Sequence, residues 1–283
     1  MAADDLSAPN LSRRDFAALS GATTVVAMAG EAQAAEVVEA DVTIKTADGN
    51  CDAALYHPMG KGKWPAVLIW PDALGLRPAF RDMGKRLAAQ GYVVLVPNPF
   101  YRSRPAPVFT GPFDFGNADD RAKLAVIRAP LTPDAVARDA TTLVAYLDAQ
   151  KVTNRKAKVG VQGYCMGGPM TMQTAAALPA RVGAGGSFHG GGLVTDKADS
   201  PHLLVPKIKA QFYFGVAAND DKAQPTAKDA LKAAFEAVKG SAKIEVYSDA
   251  MHGWCVPGSA IYNQVAAEKA WGELLALYKG ALV

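Results

Sequence analysis

The chain is expected to fold as one α/β domain with a mostly parallel central sheet flanked by helices, entered through an antiparallel hairpin. Three observations lead there. Short β-branched or fully apolar runs (residues 66–70, 92–96, 159–161, 183–188, 210–214 and 244–247) alternate with segments of helical spacing, and that alternation produces a parallel sheet with helices on its faces. The runs at 66–70 and 92–96 have no polar alternation, as expected of strands covered on both sides. Residues 37–57 do alternate around Asp48-Gly49, the pattern of two antiparallel strands and a tight turn.

The first 34 residues stand apart. Ser12-Arg13-Arg14-Asp15-Phe16, an apolar run over residues 17–29 and Ala32-Gln33-Ala34 follow the order of a twin-arginine export signal with an A-x-A processing site. The run is shorter than the roughly 18 to 20 residues that span a bilayer, so it is not read as a membrane anchor. The expectation is a precursor handled by the twin-arginine export machinery and a mature domain over residues 35–283 in the periplasm or outside the cell.

Half of the residues are apolar and a fifth are charged, which suits one globular domain of this size. Removing residues 1–34 takes away two arginines and four acids, leaving a net charge of about +5 in place of +3. The charges are dispersed, so neither nucleic acid nor an anionic membrane is an expected partner. Three cysteines cannot all pair with one another, which leaves at least one free thiol in an oxidising compartment. No H-E-x-x-H or Cys/His cluster occurs, and no metal or organic cofactor is expected.

In chain order, the 66–70 strand leads into the loop Pro71-Asp72-Ala73-Leu74-Gly75. Phe80, Met83 and Leu87 then mark a helix stopped by Gly91. Residues 98–131 are rich in Pro, Gly and aromatic side chains without a firm period and read as a long irregular excursion, a length that usually serves function. Thr132-Pro133 reads as an N-cap followed by a first-turn proline, with Val136, Leu143, Val144 and Leu147 on the buried face. Helices are further expected over 226–239 and 262–278.

The central motif is Gly163-Tyr164-Cys165-Met166-Gly167-Gly168, read as strand, abrupt turn and helix. G-x-C-x-G is the nucleophile-elbow spacing with cysteine in place of serine. Such an elbow strains its central residue and requires neighbours without side chains where strand and helix cross. It presents Cys165 at a helix N-terminus, where the dipole favours a thiolate and free N–H groups can hold an oxyanion. The plain alternative is a small residue packed at a tight βα turn.

Asp72, Cys165, Asp220, Asp221 and His252 all follow expected strands, which places them along the carboxyl edge of the sheet, where open sheets bind ligands. The order nucleophile, acid, histidine is that of α/β-hydrolases. His57, His189 and His202 are read as structural. His252, in the loop before Gly253, is the candidate base.

These motifs, together with Phe214-Gly215 through Asp221 to Pro225 and His252-Gly253, resemble the dienelactone hydrolase family over nearly the whole mature chain. The resemblance implies an α/β-hydrolase fold and cleavage of a small ester or lactone through a thioester. It implies Cys165 as nucleophile, His252 as base, and Asp221 as the orienting acid, with Asp220 as runner-up; Asp221 is favoured because Pro225 stands four residues on. By analogy the Met166 and Ala73 N–H groups are the oxyanion donors. Arg102, Tyr164 and Trp254 are the expected substrate contacts. The family has a thiol-controlling glutamate where this chain has Asp72. A substrate-holding arginine is replaced by Val256, leaving Arg104 or Arg81 to fill its place if an anion is bound. Cys51 and Cys255 are expected to be packed thiols. Two other classes compete: a non-catalytic periplasmic small-molecule binder on the same fold, and a thiol-redox protein, the latter disfavoured by the lack of C-x-x-C.

Overall fold

The computed structural model describes residues 36–282, so the expected export signal lies outside the described residues. Eight strands form one sheet in the order β1-β2-β4-β3-β5-β6-β7-β8. β1 (Val37–Thr46) and β2 (Gly49–Pro58) make the expected hairpin, closed by Gly49 at φ 140°, and β2 pairs antiparallel with β4 (Val93–Pro97). From β4 across β3 (Ala66–Trp70), β5 (Val159–Tyr164), β6 (Val182–Phe188), β7 (Gln211–Ala217) and β8 (Ala242–Tyr247) every pairing is parallel. All residues of β3, β4 and β5 are buried, which is why β3 and β4 read as unbroken apolar runs.

Two core layers sandwich the sheet. On one face α1 (Pro78–Ala88) contributes Phe80, Met83 and Leu87, and α7 (Gln264–Ala281) contributes Ala270, Trp271, Leu274 and Tyr278. On the other lie α3 (Pro133–Ala149), α4 (Gly167–Ala177) and α6 (Ala227–Ala237), packing Val136, Leu143, Met170, Leu231 and Phe235. Thr132 caps α3 by accepting the Ala135 N–H at 3.2 Å, and Pro133 occupies the first turn as expected.

Two α-helices were not expected. The excursion over residues 98–131 contains α2 (Ala118–Arg128), capped by Asn117, which accepts the Asp119 and Asp120 N–H groups at 2.8 and 3.2 Å. Only Ile127 of this helix is buried, so the apolar period that marks a core-facing helix is missing from its sequence. The second is α5 (Ala218–Ala223), a helix of six residues directly after β7 that carries Asp220 and Asp221. Among the described residues no helix is long and apolar enough to cross a membrane.

Candidate active site

The turn after β5 has the elbow geometry. Cys165 sits at φ 53°, in the left-handed region that a residue with a side chain occupies at a cost of about 1–3 kcal/mol. It is held there by its N–H donating to Phe188 O (3.1 Å) and by its carbonyl accepting from Gly168 N (3.0 Å) and Gly191 N (3.3 Å). The flanking glycines are required by contact. A Cβ on Gly163 would lie 2.0 Å from Gly167 O, and one on Gly167 would lie 2.3 Å from Trp70 O. Close approach of α4 to β5 and to the end of β3 therefore depends on hydrogen at both positions. Among the described residues no turn, loop or side-chain acceptor engages the N–H of Met166 or of Ala73.

His252 comes from the loop after β8, where Gly253 turns the chain at φ 101°. Its N–H donates to Asn219 Oδ1 at 2.8 Å, and its Nδ1 lies 3.0 and 2.8 Å from the two oxygens of Asp220. Cys165 lines the same cavity as His252. Burial disfavours the imidazolium, but the Asp220 carboxylate and the neighbouring Cys165 outweigh it and raise the His252 pKa to about 10. The residue beside the imidazole is thus Asp220, and the preference for Asp221 is corrected. Asp221 turns to Lys228 instead, Oδ1 to Nζ 2.6 Å. Successive residues of a helix point about 100° apart, so α5 can aim only one of the two carboxylates at His252.

These groups open into a cavity of about 360 Å³ whose walls include Asp72, Ala73, Leu74, Arg77, Phe115, Cys165, His252, Val256 and Ile261. Its exposed lining is mostly apolar, supplied by Leu74, Phe115, Val256 and Ile261. Asp72 is present, but its oxygens are occupied: Arg77 donates to Oδ1 and Oδ2 at 2.6 and 2.8 Å, and Leu74 N donates to Oδ1 at 2.9 Å.

Three expected substrate contacts are not in the cavity. Arg102 forms a bidentate pair with buried Asp139 (2.8 Å to each oxygen) and also binds Asp48, fastening the excursion and the β1–β2 turn to α3. A carboxylate as buried as Asp139 needs such a partner, and that requirement claims the guanidinium. Tyr164 is buried on the opposite face of the sheet, stacked on Phe188 at 5.1 Å and edge-on to Phe80 at 5.6 Å. Trp254 is fully buried against Tyr247 at 4.3 Å. Arg81 and Arg104 are also elsewhere, the first paired with Glu39 and Asp41, the second donating to Val108 O.

Two titratable wall residues were missed from the sequence. Arg77 lies five residues beyond Asp72 and donates to both of its carboxylate oxygens. His189, read as structural, follows β6 at φ 39° and packs edge-on against His252, ring centroids 5.0 Å apart. Burial and the neighbouring His252 charge push its pKa well below the ordinary histidine value, so it is a neutral wall to the site. Its position just after a parallel strand was the available signal, shared with Cys165 and Asp72.

Cys51 and Cys255 are free and buried, and burial raises the pKa of both thiols. Among the described residues no group of three or more His, Cys, Asp or Glu side chains is placed to share a metal ion.

Known proteins agree with this architecture. The chain is 27% identical over 246 residues to a candidate carboxymethylenebutenolidase of Synechocystis sp., covering 85% of this chain and 96% of that one. It is 28% identical to another from Methylorubrum extorquens over 84% of this chain and 79% of the relative. The crystal structure of a candidate dienelactone hydrolase from Klebsiella pneumoniae superposes with a TM-score of 0.75 at 20% identity, covering 86% of this chain and 99% of that one, a likeness of fold. The model of the dienelactone hydrolase family matches residues 51–282, which span the elbow, the α5 acids and the His252 loop, and the chain belongs to that family of hydrolases.

Proposed function

We propose that the protein hydrolyses small neutral carboxylic esters or lactones, with Cys165 as nucleophile, His252 as acid and base, and Asp220 as the carboxylate that orients the imidazole. One observation carries this reading: His252, bonded to Asp220 through Nδ1, shares the wall of one mostly apolar cavity with Cys165 of the strained elbow. In the first step His252 takes the Cys165 thiol proton as Sγ attacks the acyl carbon, and the carbonyl oxygen becomes an oxyanion facing the Met166 and Ala73 N–H groups. The ester C–O bond then breaks as His252 gives its proton to the departing oxygen. Water attacks the resulting thioester while His252 takes a proton from it, and collapse expels the Cys165 sulfur.

Neutral substrates are favoured because Arg77 and Asp72, the one arginine and the one carboxylate on the described cavity wall, are already joined to each other. Arg77 is committed to both oxygens of Asp72, and Val256 and Ile261 offer apolar surface. Intact-mass measurement during turnover of a short-chain aryl ester should show one acyl group on wild-type protein and none on folded Cys165→Ala, which should not turn over. Wild-type turnover by Cys165→Ala would reject the mechanism.

We further propose periplasmic or secreted placement, supported by the arginine pair and the A-x-A motif of the first 34 residues. The double variant Arg13→Lys, Arg14→Lys should then accumulate unprocessed in the cytoplasm, and its normal appearance outside would end that reading.

A further inference from the structure

Among the described residues Arg77 is the one arginine or lysine on the wall of the cavity, and its fork spans a single short loop. Nη1 and Nη2 hold the Asp72 carboxylate at 2.6 and 2.8 Å, and Nη1 also reaches Gly75 O at 3.3 Å. Within the loop Leu74 N donates to Asp72 Oδ1 (2.9 Å) and Gly75 N to Asp72 O (3.0 Å). Ala73 lies between the clamped points. The guanidinium itself rests on the ring of fully buried Phe80 at 5.0 Å, so the clamp is anchored to α1 and the core. The start of the loop abuts the elbow so tightly that a Cβ on Gly167 would meet Pro71 O at 2.7 Å.

We propose that Arg77 is a positioning residue for hydrolysis: acting through Asp72, it holds the Ala73 N–H at the distance from the Met166 N–H that an oxyanion requires. The inference rests on the reading of Cys165 as nucleophile. Asp72 thereby serves the backbone of the oxyanion loop and does not control the thiol. A planar fork suits this task because two parallel bonds fix orientation as well as distance, which a lysine ammonium cannot do. The pair is mostly shielded, with side-chain exposures of 23% and 14%, so it is held more firmly than an open surface ion pair.

The test separates oxyanion support from thiol reactivity. Ester hydrolysis passes through an oxyanion, whereas alkylation of a thiol by iodoacetamide displaces iodide without one. Both reactions are measured on wild type, Arg77→Met, Arg77→Lys, Asp72→Asn and the Arg77→Met, Asp72→Asn double variant, with Cys165→Ala as control. Removing one oxyanion donor outright costs about 10² to 10³ in kcat, and a loosened donor should cost about 10- to 100-fold. Arg77→Met and Asp72→Asn are therefore expected to lose that much in kcat with KM within about threefold, Arg77→Lys to fall between, and the double variant to be no worse than either single. Cys165 alkylation should stay within about twofold of wild type at every pH.

If Arg77→Met keeps wild-type kcat, or if alkylation falls in step with hydrolysis, the inference is overturned. Should Arg77→Met fail to fold by circular dichroism, Arg77→Lys and Asp72→Asn carry the same comparison. An inactive Cys165→Ala beside a fully active Arg77→Met would defeat this inference alone, whereas an active Cys165→Ala would defeat the reading beneath it.

Discussion

Asp220 Oδ2 lies 2.8 Å from Nδ1 of His252, while its sequence neighbour Asp221 faces Lys228 across 2.6 Å. The two carboxylates differ by one residue and by everything that matters to the imidazole.

On the proposed mechanism Asp220→Asn should lower kcat/KM by at least about 10²-fold, because an amide at this place favours the wrong tautomer of the imidazole and cannot stabilise its charge. Asp221→Asn breaks only a half-exposed pair with Lys228 and should stay within about threefold. A larger loss in Asp221→Asn than in Asp220→Asn, in steady-state assays of both, would reverse the assignment.

The same contact makes a stability prediction. The folded pKa of His252, raised to about 10, lies above the ordinary value near 6.5, so the folded state binds the proton more tightly than the unfolded chain. Its contribution is fully present below about pH 6.5 and is lost as pH rises through about 10. The Tm advantage of wild type over Asp220→Asn should accordingly be largest near pH 6 and shrink toward pH 10. An advantage that grows with pH would contradict the coupling.

Substrate charge offers a third test. Wild-type kcat/KM for small neutral esters or lactones should equal or exceed that for a carboxylate-bearing dienelactone, since Arg77 is already bound to Asp72. Val256→Arg should move the ratio toward the anion by at least about tenfold, given about 1.5–3 kcal/mol for a hydrogen bond to a charged group. A strong wild-type preference for dienelactone would mean that Arg77 leaves Asp72 for the substrate.

Local rules determined much of this molecule from its sequence. The glycine spacing around Cys165, the apolar runs of β3 and β4, the Asp48-Gly49 turn and the proline after Thr132 each act within a few residues, and each appears where those rules place it. The parallel sheet then brings the loops after β3, β5 and β8 to one edge, so Asp72, Cys165 and His252 were legible as neighbours. Which side chain faces the imidazole was decided by the phase of α5, a helix of six residues with no buried residue to reveal its period. Arg102 was claimed by Asp139, and Tyr164 and Trp254 by the core, through contacts between segments far apart in the chain. Arg77 reached the cavity only because the loop after β3 folds back on Asp72, so its partner became visible only in three dimensions. Spacing governs which residues arrive at a site, and packing and charge pairing across the fold govern which of them turn toward it.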